Sequence, residues 1–146
     1  IGWCDWSSDV CSSDLAAGLT GKSVELDAAA VQAARQAARD QGLEDSNMVA
    51  ADAAAWLSRA APASELLLID PPRGGAPELL EAVVAMSPRW ILWVACDPVT
   101  LARDLRVLHG RGWELVEVSA FDMFPQTHHV ETLVWMERQP RGAVSE

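Results

Sequence analysis

The stretch that decides the fold is Leu66-Leu67-Leu68-Ile69-Asp70-Pro71-Pro72-Arg73. Its four consecutive apolar residues have the length of a strand, and their lack of alternation predicts a strand covered on both faces, as in a parallel sheet. The two prolines after Asp70 stiffen the turn and remove backbone donors, so we expect the Asp70 carboxylate to face the crevice at the end of the strand. An Asp that only starts a turn is an equally good interpretation of the last four residues alone.

Strands and helices alternate on both sides of this stretch, which is typical of βαβ units and predicts an α/β fold with a mostly parallel sheet. The predicted strands are 23–25, 48–50, 66–69, 90–94, 113–118 and 130–136, and the predicted helices are 28–41, 53–59, 77–86 and one that begins at 98. Ligands of open parallel sheets bind beyond the carboxyl ends of the strands. The pattern places four candidate residues at such ends: Glu25, Asp52, Asp70 and Cys96.

Composition limits the classes of function. The 146 residues suit one domain, and 11 Lys and Arg against 21 Asp and Glu give a formal net charge of −10. This charge argues against a surface that binds nucleic acid by itself. No apolar run approaches the roughly 20 residues of a membrane span, and three cysteines without an export signal suggest reduced thiols. We therefore expect a soluble, monomeric, cytoplasmic protein without a membrane partner.

The two ends of the chain differ from the rest. Residues 1–15 repeat Ser-Ser-Asp at 7–9 and 12–14 and show no helical or strand periodicity. They resemble the translation of a sequencing adapter, the alternative being a short disordered extension. Residues 139–146 form a polar tail that we expect to be flexible. The interpretable domain is thus residues 16–138.

Cys96 precedes the predicted helix that Asp97 caps and Pro98 opens. The positive end of a helix favours a thiolate, so the pKa of this thiol is expected to fall and the cysteine to be nucleophilic. A cysteine that is simply buried is the competing interpretation. The neighbouring Asp97 carboxylate would oppose a thiolate unless it faces the helix amides.

Three further carboxylates and two histidines are candidates. Glu25 matches the acidic residue that accepts ribose hydroxyls in nucleotide-binding α/β folds, whereas Asp52 suits a helix cap at least as well. Glu131 opens a largely apolar strand, where partial desolvation would raise its pKa toward that of a useful base; the alternative is a charge that faces water. His128 and His129 lack a third ligand at a recognisable spacing, so we predict no metal site.

Three segments together resemble the C-terminal motifs of the RNA uracil-5-methyltransferase family, which makes 5-methyluridine in ribosomal and transfer RNA. They are Asp70 to Arg73, Cys96 to Leu105, and Phe121 to Val134. Their order and the 35-residue step from Cys96 to Glu131 match as well. The resemblance covers roughly residues 24–138.

The resemblance implies a class I S-adenosylmethionine-dependent methyltransferase domain with a Rossmann-like fold. It implies that Cys96 is the nucleophile and Glu131 the base, and that Glu25, Asp52 and Asp70 contact S-adenosylmethionine. The implied partner is RNA. The sequence of residues 122–125 resembles the 23S ribosomal RNA enzymes more than the transfer RNA enzymes, so 23S ribosomal RNA is favoured.

This chain departs from the family pattern before Glu25. The family has a central first strand and a glycine-rich cofactor loop there, whereas this chain offers Gly18-Leu19-Thr20-Gly21. We therefore expect a truncated, inactive fragment that lacks this strand, the loop and an N-terminal RNA-binding region, with exposed sheet edges and little cofactor binding.

Two other methyltransferase classes remain as alternatives. An RNA cytosine-5-methyltransferase would place a further cysteine in the motif at 70–73, and an adenine N6-methyltransferase would have an aromatic residue in place of Arg73. A non-catalytic truncated product is a third alternative.

Overall fold

The computed structural model of the protein describes residues 21–43, 47–60, 64–123, 126 and 130–140. Some residues interpreted above lie outside these ranges: 1–15, Gly18 to Thr20, His128, His129 and the tail beyond Pro140. The chain divides into two compact units, Ile1–Ala60 and Ala61–Glu146, which we call the first and the second unit.

Within residues 21–43 and 47–60, the first unit has two short parallel strands and two helices. β1 (Ser23–Glu25) pairs with β2 (Met48–Ala50), and helices α1 (Ala28–Asp40) and α2 (Ala53–Ala60) follow them. The side chain of Asp27 accepts a hydrogen bond from the Ala29 backbone N–H at 2.8 Å and so caps α1. Gly42, with φ of +70°, takes the left-handed conformation that commonly ends a helix. Both ends of α1 confirm the prediction.

The core of the first unit is small. Four residues of α1 and β2 form its buried apolar cluster: Val31, Ala34, Ala38 and Met48. The three residues on α1 are spaced by three and four, so they form one face of the helix. That face packs against the strand pair.

The described part of the second unit has four strands and two α-helices. The strands are β3 (Leu66–Ile69), β4 (Trp90–Ala95), β5 (Trp113–Phe121) and β6 (Glu131–Arg138). A 3-10 turn (Pro77–Leu79) leads into helix α3 (Leu80–Met86), and α4 (Pro98–His109) connects β4 to β5. These bounds confirm the predicted elements to within three residues.

The strand order is β3-β4-β6-β5. β3 and β4 are parallel, while β6 lies between β4 and β5 and is antiparallel to both. Three of the four strands therefore run in one direction, which confirms the α/β fold with a mostly parallel sheet.

The core lies on the sheet face that carries α3 and α4. Every second residue of β4 is buried there: Ile91, Trp93 and Ala95. Leu80 and Val83 of α3 and Leu101 and Leu108 of α4 belong to the same cluster. Trp93 and Trp113 are fully buried in this core, whereas Trp135 is 42% exposed because it projects from the opposite face of the sheet.

The prediction that β3 is covered on both faces is wrong. Ile69 is buried, but Leu66 and Leu68 are 43% and 41% exposed. β3 is an edge strand of the four-stranded sheet, and the side chains that alternate with the core positions project from the face opposite α3 and α4. Among the described residues, no helix has both the length and the apolar character needed to cross a bilayer.

Candidate active site

Cys96 and Glu131 lie at the same edge of the second unit's sheet. Cys96 is half-buried and directly follows β4, whereas Glu131 is the first residue of β6. In the antiparallel pair of these strands, Ala95 is opposite Thr132. Cys96 and Glu131 are the next residues beyond this pair, so the thiol and the carboxylate come from adjacent strand ends. The charge of Glu131 acts on the pKa of the thiol.

The surroundings of Cys96 raise the pKa of its thiol. Burial is the largest cause because it disfavours the thiolate, and the negative charge of Glu131 is the second. A backbone hydrogen bond and the positive charge of Arg73 lower this pKa, and the carboxylate of Asp97 adds a smaller rise. The expectation that the helix end lowers the pKa of Cys96 is therefore wrong.

Asp97, the residue between Cys96 and α4, binds the start of the helix in place of the thiol. Asp97 Oδ1 accepts hydrogen bonds from the backbone N–H groups of Val99 and Thr100, at 2.9 and 3.1 Å. These bonds lower the pKa of Asp97 and satisfy the amides at the positive end of α4. The carboxylate thus takes the helix amides that a thiolate would otherwise use, as expected if Asp97 faces them.

Asp70 belongs to the same edge of the sheet. β3 and β4 are parallel with Ile69 opposite Trp93, so Asp70 and Cys96 both follow the carboxyl ends of neighbouring strands. Asp70 is exposed, and the orientation of its carboxylate toward the crevice stays a prediction.

Arg73 is a site residue that the sequence interpretation did not single out. It is exposed in the loop after β3, and its positive charge lowers the pKa of both Cys96 and Asp97. A cation directly after a strand-ending Asp-Pro-Pro sequence was the available signal.

Glu25 and Asp52 belong to the first unit. Glu25 is the last residue of β1, and its Oε1 accepts a hydrogen bond from the Asp27 backbone N–H at 2.8 Å. Asp52 Oδ1 accepts a hydrogen bond from the Ala55 N–H at 2.8 Å, so Asp52 contributes to the start of α2, as its capping interpretation predicts. The structure therefore brings together Asp70, Cys96 and Glu131 in one unit and Glu25 and Asp52 in the other.

Metal ions in proteins are commonly held by groups of histidine, cysteine and acidic side chains. Within the ranges that the structure describes, no three of them form a group that could hold a metal ion. His128 and His129 lie outside those ranges.

A solved structure with a similar fold places these features in a known class. The tRNA (uracil-54, C5)-methyltransferase of Pyrococcus abyssi, solved in complex with S-adenosyl-L-homocysteine, is 26% identical and superposes with a TM-score of 0.69. The match covers 84% of this chain and 30% of that one. The fold is that of a class I, Rossmann-like methyltransferase domain.

The family follows from the sequence match. The family model described as tRNA (Uracil-5-)-methyltransferase matches residues 59–139, which is more than half of the chain. The chain belongs to this family.

Curated relatives agree with this assignment. An uncharacterised RNA methyltransferase of Thermotoga maritima is 40% identical over 120 residues, which are 82% of this chain and 27% of that protein. A 23S rRNA (uracil(1939)-C(5))-methyltransferase of Aeromonas hydrophila is 42% identical over 119 residues, 80% of this chain and 27% of that protein. The chain spans about a quarter of the length of the relatives it matches.

Proposed function

We propose that Cys96 is the nucleophile and Glu131 the base of an RNA uracil-5-methyltransferase. The observation that carries this proposal is the position of the two side chains at adjacent ends of β4 and β6, where the charge of Glu131 reaches the thiol. Membership of the uracil-5-methyltransferase family supports the same assignment.

The reaction needs a nucleophile because C5 of uracil is unreactive toward a methyl donor. The Cys96 thiol loses its proton to solvent, and the thiolate adds to C6, which moves electron density onto C5 as an enolate. C5 would then form a bond to the methyl group while the bond from that group to the sulfur of S-adenosylmethionine breaks, which would leave S-adenosylhomocysteine. Glu131 removes the remaining C5 proton, the C5–C6 double bond re-forms and the cysteine leaves as a thiolate. The product is 5-methyluridine, and access to both ring carbons requires an unpaired or flipped base.

The electrostatic coupling of the two residues suits this order of events. While the thiolate is free, the negative charge of Glu131 opposes it and raises the pKa of Cys96. Once the sulfur is bonded to C6 it carries no charge, so this repulsion disappears. At the step that requires a base, an ionised Glu131 therefore faces no negative charge on the sulfur.

S-adenosylmethionine, when bound, supplies the methyl group. We assign Glu25, Asp52 and Asp70 to its binding, and the chemistry of these side chains fits, since carboxylates at strand ends can accept hydrogen bonds from ribose hydroxyls or face a cationic ligand. The hydrogen bond from Asp27 holds the Glu25 carboxylate at the end of β1. Asp52 fits less directly because its Oδ1 already accepts a bond at the start of α2.

We propose 23S ribosomal RNA as the substrate. Curated relatives from Aeromonas and Marinomonas, each about 40% identical to this chain, are 23S rRNA (uracil(1939)-C(5))-methyltransferases. The second candidate is transfer RNA, which the Pyrococcus structure favours because that enzyme is a tRNA methyltransferase. We propose a cytoplasmic monomer for the whole protein.

The test uses a chimera in which residues 24–138 replace the matched segment of the Aeromonas hydrophila enzyme. Methyl transfer is measured from labelled S-adenosylmethionine to unmethylated 23S ribosomal RNA and, in parallel, to unmethylated transfer RNA. Cys96→Ala should abolish transfer. Glu131→Gln should slow turnover by about 10²–10⁴-fold and trap a protein–RNA adduct that survives a denaturing gel, because elimination needs the base.

The control is Glu137→Gln, which removes a carboxylate near the other end of the same strand and should leave methylation unchanged. Full activity of the Cys96→Ala chimera would disprove the covalent mechanism. Methylation of transfer RNA alone would replace the proposed substrate by the second candidate.

A further inference from the structure

Asp104 is a buried carboxylate that the proposed chemistry does not use. It lies on α4, and its side chain is fully buried. Its Oδ2 accepts a hydrogen bond from the Ala76 backbone N–H at 2.9 Å, and its Oδ1 accepts one from Arg103 Nε at 2.7 Å. A buried carboxylate is costly unless it is paired and hydrogen-bonded, and here both oxygens have partners.

Two neighbours on the same helix bind the same loop. Thr100 Oγ1 lies within hydrogen-bond distance of the Arg73 carbonyl, at 3.1 Å, and of the Asp97 carbonyl, at 3.2 Å, and its one proton can be donated to either. Arg103 Nη2 donates a hydrogen bond to the Gly74 carbonyl at 2.9 Å. Together with the Asp104 bond, three side chains of α4 hold the backbone of residues 73–76. We call Thr100, Arg103 and Asp104 the loop clamp.

Gly75 shows how closely the loop lies against the helix. Its φ of +77° is left-handed, and a Cβ atom at this position would overlap Asp104 Oδ2 and lie 2.6 Å from Arg103 Nη2. Only glycine combines this backbone angle with this approach. The loop clamp therefore fixes one backbone path between β3 and α3.

Arg73 begins the clamped segment. Its carbonyl can accept a hydrogen bond from Thr100 on the first turn of α4. The N-cap residue of this helix, Asp97, directly follows Cys96. The groups that act on the thiol come from three elements: Glu131 from β6, Asp97 from the cap of α4 and Arg73 from the clamped loop. Arg73 is the cation among them, and its position depends on the backbone that the loop clamp holds.

We propose that Asp104, with Thr100 and Arg103, is a positioning residue that holds the loop at 73–76 on helix α4 and so keeps the charge of Arg73 within range of Cys96. This inference rests on the proposed role of Cys96 as the nucleophile. The clamp does not touch the substrate. Its effect on the reaction passes through the charge that stabilises the thiolate.

The test measures alkylation of Cys96 by iodoacetamide as a function of pH, followed by peptide mass spectrometry in a Cys4→Ser, Cys11→Ser background. Arg73→Gln removes the cation and should slow alkylation about three- to tenfold at a fixed pH below the midpoint, because only the thiolate reacts. Thr100→Val and Asp104→Asn should slow it in the same direction. In the double variant of Arg73→Gln and Asp104→Asn, the second change should add nothing.

Arg106→Gln is the matched control, since it removes an exposed cation from the same helix outside the clamp, and alkylation should not change. Thr100→Val removes one hydroxyl with little change of shape. If Asp104→Asn fails to fold, the alkylation rate of Thr100→Val tests the role of the loop clamp instead. Three results would each overturn the proposal. The first is an unchanged alkylation rate in Thr100→Val, and the second is no effect of Arg73→Gln on that rate. The third is a slower rate in Asp104→Asn that is also seen when Arg73 has been replaced. Alkylation of Cys96 does not depend on methyl transfer. The methylation activity of Cys96→Ala therefore tests only the proposed function, whereas the alkylation rates test the loop clamp.

Discussion

At the scale of single residues, the reactivity of Cys96 depends on charges from three parts of the second unit. Its position before a helix favours a thiolate, but Asp97 accepts the amide hydrogen bonds at 2.9 and 3.1 Å that create this preference. Burial and Glu131 then raise the pKa of the thiol, with Arg73 acting in the opposite direction. The effect of a helix end on a preceding cysteine therefore depends on the identity of the capping side chain.

Glu131→Gln should make Cys96 more reactive toward iodoacetamide. The sign follows from the charge: the carboxylate raises the pKa of the thiol, so its removal lowers that pKa and enlarges the thiolate fraction at any pH below the midpoint. Alkylation should therefore become faster at a fixed pH, and the whole profile should move to lower pH. The measurement is the rate of Cys96 modification across pH 7 to about 10, within the range in which cysteine titrates.

Glu137→Gln again provides the control, because it removes the same charge from the far end of β6 and should leave the profile in place. Slower or unchanged alkylation in Glu131→Gln would mean that the two residues are not coupled. The same variant is expected to trap the RNA adduct, so a more reactive thiol with slower turnover would separate the role of Glu131 as a base from its effect on the nucleophile.

At the scale of elements, the sequence was most informative where local chemistry decides the structure. Asp97 caps the helix that it was predicted to cap. Asp27 caps α1 at the predicted start of that helix, and Gly42 takes a left-handed φ of +70° after α1. The insertion of β6 between β4 and β5 could not be derived in this way, because strand order depends on long-range packing. The exposure of Leu66 and Leu68 has the same cause, since an apolar run does not reveal which strand lies at a sheet edge.

The candidate site was predictable in part. Strand-end positions indicated Asp70, Cys96 and Glu131, but the pKa direction of Cys96 was wrong because it depends first on burial of the thiol and then on the charge of a carboxylate from another strand. Asp104 was missed although it shares the spacing of Leu101 and Leu108, the buried apolar positions of α4. A charged residue at such a position indicates a buried partner, and that signal was present in the sequence.

Gly75→Ala should destabilise the loop between β3 and α3, whereas Gly74→Ala should not. The left-handed φ of Gly75 costs a residue with a Cβ about 1–3 kcal/mol, and the Cβ would also meet Asp104 and Arg103. Nothing lies within 4 Å of a Cβ at Gly74. Thermal melting followed by circular dichroism should show a lower Tm for Gly75→Ala only.

The same pair of variants also reports on the clamp. Because the loop must move to accept a Cβ at Gly75, Cys96 alkylation should slow in Gly75→Ala and stay unchanged in Gly74→Ala. Equal melting temperatures for the two variants would show that the loop is not held against α4 as described.

At the scale of the whole molecule, the two units differ in how much apolar surface they bury. Among the described residues, the core cluster of the second unit contains twelve buried residues, and that of the first contains four. A two-stranded sheet is marginal by itself, whereas four strands packed on helices can be stable. The first unit should therefore open locally more often than the second.

Hydrogen exchange on the full chain tests this difference. Amides of β4 and β6 should exchange more slowly than those of β1 and β2, because the first unit has less core to hold its hydrogen bonds. Met48→Ala and Ile91→Ala form a matched pair, since each side chain is at most 2% exposed and its loss costs about 2–5 kcal/mol. Met48→Ala should accelerate exchange only within residues 21–60, and Ile91→Ala within residues 64–140. If Met48→Ala accelerated exchange in β4 and β6 to the same extent, the two units would unfold as a single cooperative body.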